Sequence, residues 1–213
     1  MKERPILFSA PMVRAILNGT KTQTRRVAPI RKLDILRSPG DMVTWSVSFM
    51  KAVKGVLGSH SGGKFTDLQA RSIIASKYNP YGQPGDRLWV RETYFRDEED
   101  GAILYAANPD DFEVVHHNKV ETGSPRYNWK PSIFMPRWAS RITLEITAVR
   151  VERLQDISEK DAWAEGCEGF DDDVTGGKSG YTEFAELWES INGPGSWEAN
   201  PWVWAIEFKR VMS

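Results

Sequence analysis

The chain has 213 residues, 40% of them hydrophobic and 27% charged, with a formal net charge of −1. This suits one large soluble domain and excludes a protein that coats itself in nucleic acid by bulk charge. The single cysteine, Cys167, excludes an internal disulfide and a multi-cysteine metal site, and His60, His116 and His117 lack ligand spacing. No metal and no cofactor is therefore expected. No apolar run reaches membrane-spanning length or makes a signal-peptide core, so the expectation is a cytoplasmic protein with no membrane partner.

In chain order, "PILFSA" (Pro5–Ala10) reads as a short buried strand. In "PMVRAILNG", Pro11 suits a first helical turn, Met12, Val13, Ile16 and Leu17 share one stripe, and Gly19 suits the stop. That helix delivers Lys21 into "NGTKTQTRR" (Asn18–Arg26), which packs a lysine, three threonines and two arginines into nine residues. The stretch is either a solvated loop or a site that holds and attacks a polar substrate. "GDMVTW" (Gly40–Trp45) and "GDRLWVRETY" (Gly85–Tyr94) open with a turn and continue as alternating strands.

Between them, residues 46–84 read as a basic insertion, with a helix in "DLQARSIIASKY" capped by Thr66 or Asp67. "GAILYAA" (Gly101–Ala107) reads as a strand. Residues 108–128 are polar and aperiodic, which predicts a loop. "RITLEITAVRVERL" (Arg141–Leu154) alternates almost perfectly and is the clearest strand. Ser158 and Asp161 in "DISEKDAWAEG" make a capping box that opens a short helix. "DDDVTGGKSG" reads as a loop, "YTEFAELWESI" as an amphipathic helix and "NPWVWAIEFKR" as a closing strand.

Charge is uneven along this order. Residues 21–37 hold six Lys/Arg and one acid, residues 124–153 six and two, and residues 154–199 two bases and twelve acids. Such asymmetry makes either a local anion-attracting face or ordinary solvated surface. "GSHSGGKF" and "TGGKSG" resemble phosphate loops and fail: Phe65 stands where a hydroxyl is needed, and Asp172 where the leading glycine is needed. Short strands with Gly-Asp turns and no repeated β-α-β unit predict an α+β chain, a small mixed barrel with flanking short helices.

"GTKTQTRR" fits the pattern G-x-K-x-x-x-x-R as Gly19, Lys21 and Arg26. A short helix precedes it, a "PGD" turn (Pro84–Asp86) leads into a strand, the long strand runs into "LQDISEKDAWAEG", and "WAIEF" closes the chain. In these features the sequence resembles the ASCH domain family of the PUA-like superfamily, in the style of its phage and prophage members. The resemblance covers about half the chain. It implies a PUA-like β-barrel spanning 1–213 as a single domain, with insertions at about 46–84 and 97–128. It also implies a modified nucleoside or RNA as partner.

One small bacterial member of that family is an N4-acetylcytidine amidohydrolase with a catalytic lysine, a threonine three residues later and a distant glutamate. By resemblance those positions are Lys21, Thr24 and Glu165. Thr24 would then be the nucleophile, Lys21 the base that activates it, and Glu165 the acid that protonates the leaving nitrogen, with Arg25 and Arg26 lowering the lysine pKa or steadying an oxyanion. The implied reaction is metal-independent hydrolysis of an acylated exocyclic amine.

A plainer reading stands beside it. Lys21, Arg25 and Arg26 would contact phosphates, Glu165 would be helix surface, and the protein would be a non-catalytic module for RNA or modified nucleic acid. Two further residues are candidates for substrate binding. Glu92 faces either the pocket or an ion pair at the core edge, and Trp138 in "MPRWASR" stands among basic residues where a base could stack. Nothing in the sequence speaks to oligomeric state.

Overall fold

The computed structural model describes residues 1–28, 36–37, 43–44, 71–72, 75–76, 79–124, 127–170 and 177–211. Its centre is a five-stranded mixed sheet built from β1 (Glu3–Leu7), β5 (Arg87–Arg91), β8 (Thr143–Arg153), β9 (Trp202–Val211) and β2 (Gln23–Val27), in that spatial order. β1 runs parallel to β5 and every other pairing is antiparallel. Two small ribbons stand apart, β3 (Leu36–Arg37) with β4 (Val43–Thr44) and β6 (Tyr94–Arg96) with β7 (Ile103–Tyr105).

The alternation in "RITLEITAVRVERL" becomes β8, which pairs with β9 along nearly its whole length, with one register shift between Ile146 and Ala148. Both faces of this sheet are covered. On one side Val151, Trp204, Ile206 and Phe208 join Phe8, Val13 and Ile16 in the main core. On the other, Val203 meets Phe184 and Trp188 of a helix at Gly180–Asn192.

α1 (Ala10–Asn18) ends at Gly19, whose φ of 83° lies in the left-handed region that glycine enters without steric cost. α2 (Pro109–Thr122) is a helix where the polar, aperiodic sequence of residues 108–128 predicts a loop. Only Val115 of this helix is buried, so no apolar stripe announces it. Its signals are terminal: Pro109 at the start, Asp110 and Asp111 in the first turn, and Gly123 as a left-handed stop.

α3 (Glu159–Ala164) starts at Ser158, where the anticipated capping box with Asp161 forms, and α4 (Gly180–Asn192) follows it. The strand read over Gly85–Tyr94 is two strands, broken at Glu92 and Thr93. Most of the 46–84 insertion, including the Thr66 and Asp67 caps and most of the helix read there, lies outside the described residues, as do residues 171–176 of the acidic loop.

The architecture is thus α+β with a mixed five-stranded sheet, whose strands form no closed hydrogen-bonded barrel among the described residues. β1 and β2 are its two edges, yet they approach through side chains. Arg26 Nη2 donates to the Leu7 carbonyl at 2.5 Å, and the Arg26 guanidinium lies 5.1 Å from the Phe8 ring. Among the described residues no helix is long and apolar enough to cross a membrane.

Candidate functional site

β2 is short, and three of its five side chains are buried polar or charged groups: Gln23, Thr24 and Arg25. Opposite residues in a sheet share a face, so the register fixes which way each points. Arg25 lies opposite Ala205, which lies opposite Arg150; Gln23 lies opposite Glu207. These residues face α3 and α4. Thr24 and Arg26 pair with Ile206 and Trp204 and face the main core.

Placing two guanidiniums on one face requires something small between them, and Ala205, fully buried, is that residue. The arginines share two carboxylates, Glu152 and Asp161, and each has one more of its own. Arg25 Nη2 donates to Glu152 at 2.5 Å and lies 3.5 Å from Asp161, while Arg25 Nη1 reaches Glu165 at 3.2 Å. Arg150 donates to Glu152 at 2.7 Å and to Asp161 at 2.8 Å, and it also donates to Glu207. Gln23 links the two arginines, accepting from Arg25 at 2.5 Å and Arg150 at 3.3 Å while donating to Asp161 at 3.1 Å.

Asp161 therefore caps α3 and ties that helix to β2 and β8. Burial pushes its carboxyl up, but hydrogen bonds from Ser158 and Gln23 and the charges of Arg150 and Arg25 outweigh this and hold it down at about 2. Arg150 runs the other way: burial lowers it, and the hydrogen bond and charge of Glu152, with Asp161 and Glu207, raise it.

α3 ends at Glu165, and Gly166 turns the chain away with φ of 87°. A Cβ at Gly166 would stand 3.3 Å from the Ala15 Cβ and 3.5 Å from the Lys21 Cβ, so the glycine also permits close approach to α1 and the loop after it. That approach brings Lys21 onto Glu165. Lys21 Nζ donates to the Glu165 carboxylate at 2.6 Å and to the Glu165 backbone carbonyl at 2.7 Å, across 144 residues of sequence. Both side chains are buried, at 1% and 3% exposure. Lys21 takes one carboxylate oxygen and Arg25 the other. The backbone supports the join, with Thr22 N donating to the Ala164 carbonyl at 2.8 Å.

Thr24 and Glu165 line one cavity of about 70 Å³. Met12, Arg26, Arg25, Val27 and α4 complete its wall, so it runs along the open edge of β2, where side chains of both faces reach. Thr24 is buried as a residue, and its hydroxyl makes no hydrogen bond with any described residue. Arg25 Nε and Arg26 Nε are also buried without a partner among the described residues. Burial pushes the Arg26 guanidinium down, partly opposed by the charges of Tyr81 and Glu165. A volume near 70 Å³ holds about two waters and is well under the roughly 300 Å³ of a small-molecule pocket.

Of the residues singled out in the sequence, the fold brings Lys21, Thr24, Arg25, Arg26 and Glu165 together. It does not bring Glu92 or Trp138 to them. Glu92 is 1% exposed and takes two donors of Arg141 at 2.9 and 3.0 Å, which is the ion-pair alternative at the core edge. Trp138 is 64% exposed and lies beside Arg96. Cys167 follows the site closely, but burial pushes its thiol up to about 12, so it supplies no thiolate near neutrality.

Gln23, Arg150, Glu152, Asp161 and Glu207 were not read as site residues. Their signal was present in the strand period. Arg150 and Glu152 are two apart, as are Gln23 and Arg25, which puts charge on one face of strands otherwise built for burial. Among the described residues no group of three or more His, Cys, Asp or Glu is arranged to hold a metal. No family profile, curated protein or solved structure matches this chain.

Proposed function

We propose that the protein is an ASCH-type, PUA-like hydrolase that cleaves an acylated exocyclic amine of a modified pyrimidine nucleoside, of the N4-acetylcytidine kind. The observation that carries the reading is the buried contact of Lys21 with Glu165 at 2.6 Å, beside a cavity that Glu165 shares with the unpartnered Thr24 hydroxyl. The approach of β1 to β2 through Arg26 and Phe8 supports a barrel-like closure of the sheet.

Amide hydrolysis at this site needs a base and an acid at once. Moving one proton along the Lys21–Glu165 hydrogen bond turns an ammonium–carboxylate pair into a neutral amine and a carboxylic acid. Lys21 then accepts the Thr24 proton as Oγ1 attacks the acyl carbon. The C–N bond breaks as Glu165 gives its proton to the leaving nitrogen, and water hydrolyses the resulting threonyl ester. Arg25, hydrogen-bonded to Glu165 and Glu152, fixes the carboxylate in place. The small cavity suits an acyl group of about two carbons and leaves the base and sugar outside it.

The test is N4-acetylcytidine turnover followed by chromatography, for the wild type beside Lys21→Ala, Thr24→Val and Glu165→Gln. Cytidine formation by the wild type and its loss in all three folded variants is the expected result. A wild type that leaves the nucleoside intact sinks the reading. One observation favours the second reading, a non-catalytic module for RNA or modified nucleic acid: apart from the Nε atoms, the cations of this cluster already have partners, as a structural ion-pair network would.

A further inference from the structure

The cavity at the edge of β2 is polar on one side and apolar on the other. Thr24 and Arg26 line it from the strand, and Met12 of α1 with Leu187 and Ile191 of α4 supply apolar wall. Phe184, Leu187, Trp188 and Ile191 stand at helical spacing and form one stripe of α4. Phe184 and Trp188 end in the core beside Val203, whereas Leu187 is half-buried and Ile191 is 56% exposed. The stripe therefore runs past the core to the rim of the cavity, with nothing apolar spent to cover its last residue.

The charges are just as uneven. Lys21, Arg25 and Arg150 each meet at least one carboxylate. Arg26 meets none among the described residues: its Nη2 donates to the Leu7 carbonyl, its guanidinium lies 5.1 Å from the Phe8 ring, and its Nε has no partner. Burial pushes this guanidinium down, a cost that a bound anion would offset. Glu165 borders the same cavity but repels an anion little, because Lys21 takes one of its oxygens and Arg25 the other.

We propose that the cavity binds a short-chain monocarboxylate of acetate or propionate size, its carboxylate on Arg26 and the Thr24 hydroxyl and its alkyl end against Met12, Leu187 and Ile191. One uncompensated cation matches one negative charge. The apolar wall favours an organic acid over phosphate, which has no alkyl part to take out of water. The volume of about 70 Å³ limits the chain to a few heavy atoms. The inference goes beyond the hydrolase reading, since binding needs no turnover. Hydrolysis of a short acyl amide would release an acid of this kind, and the site would then be one of product inhibition.

The experiment is a saturation-transfer NMR titration with acetate and propionate, beside pivalate and inorganic phosphate at constant ionic strength. Acetate and propionate are expected to bind at about 1–10 mM, with pivalate and phosphate about tenfold weaker or more. Arg26→Gln should weaken acetate by about tenfold, and Arg26→Lys by less. Should Arg26→Gln fail to fold, Ile191→Glu serves instead. It puts a negative charge at the exposed rim and should weaken acetate about three- to tenfold at an unchanged melting temperature. No acetate binding at about 100 mM overturns the proposal, as does pivalate or phosphate bound as tightly as acetate. Acetate bound equally by the folded variants overturns it too. An N4-acetylcytidine assay on the same samples separates the two readings. Acetate bound without turnover retains this site and sinks the hydrolase, and turnover without acetate binding does the reverse.

Discussion

Glu92 and Glu165 are both buried carboxylates, 1% and 4% exposed, and each meets cations at hydrogen-bond distance. Glu92 is closed from one side. A single arginine, Arg141, takes both oxygens, and that arginine is in turn held by Asn108 at 2.9 Å and lies 4.0 Å from the Tyr105 ring. Glu165 is divided between a lysine and an arginine, and a cavity opens beside it. A bidentate arginine keeps its protons and fixes a position. Glu165 is instead held by a lysine at 2.6 Å and borders a cavity, and it is the carboxylate to which the proposed hydrolysis assigns the acid's role.

The comparison breaks first on activity. Glu165→Gln should cut turnover of an N4-acylated cytidine by about 10²- to 10⁴-fold, the usual range for a lost acid or base. In the same assay Glu92→Gln should leave turnover by the folded protein unchanged. Stability should reverse the order of interest: Glu92→Gln strands Arg141 and should cost about 3 kcal/mol in urea unfolding, the lower end for a broken buried pair because Arg141 is part-exposed. If both variants lose turnover equally, the two carboxylates do not differ in kind.

A smaller effect sharpens the picture of the shared cluster. Ala205→Leu would push a branched chain between Arg25 and Arg150 and should cost about 1–3 kcal/mol by overpacking, read as a lower unfolding midpoint. Smallest is a pH effect. The Asp161 carboxyl sits at about 2 in the folded protein against an ordinary 3.8, so its stabilising contribution is complete above about pH 4 and is lost as pH falls towards 2. Asp161→Asn, which does not titrate, should be less stable near neutrality and show a flatter stability profile between those two values. An unchanged acid slope in urea midpoints would remove Asp161 from the cluster's electrostatics.

How much of this was readable in the sequence depended on whether the deciding interactions were local. α1, β8 and the Ser158–Asp161 cap follow from spacing within a few residues, and they appear where the pattern puts them. α2 escaped notice because periodicity reports burial, and only Val115 of that helix is buried. The partner of Glu92, at the break between two strands, is Arg141, 49 residues away, and no local pattern encodes that contact. At the site, resemblance pointed to Lys21, Thr24 and Glu165. The Arg25–Arg150 face depends on Ala205 lying between two strands, a matter of register that only the assembled sheet reveals.

The contact between Lys21 and Glu165 has a consequence in time as well as in space. The carboxylate lies 144 residues after the lysine, so at ordinary synthesis rates of about 5–20 residues per second it is made roughly 7–30 s later. Throughout that interval the nascent chain lacks the carboxylate that pairs with this lysine in the folded protein. The pair is therefore a late event of biogenesis, and a ribosome paused before Glu165 would hold a chain whose first helix and basic loop are complete but whose site is not.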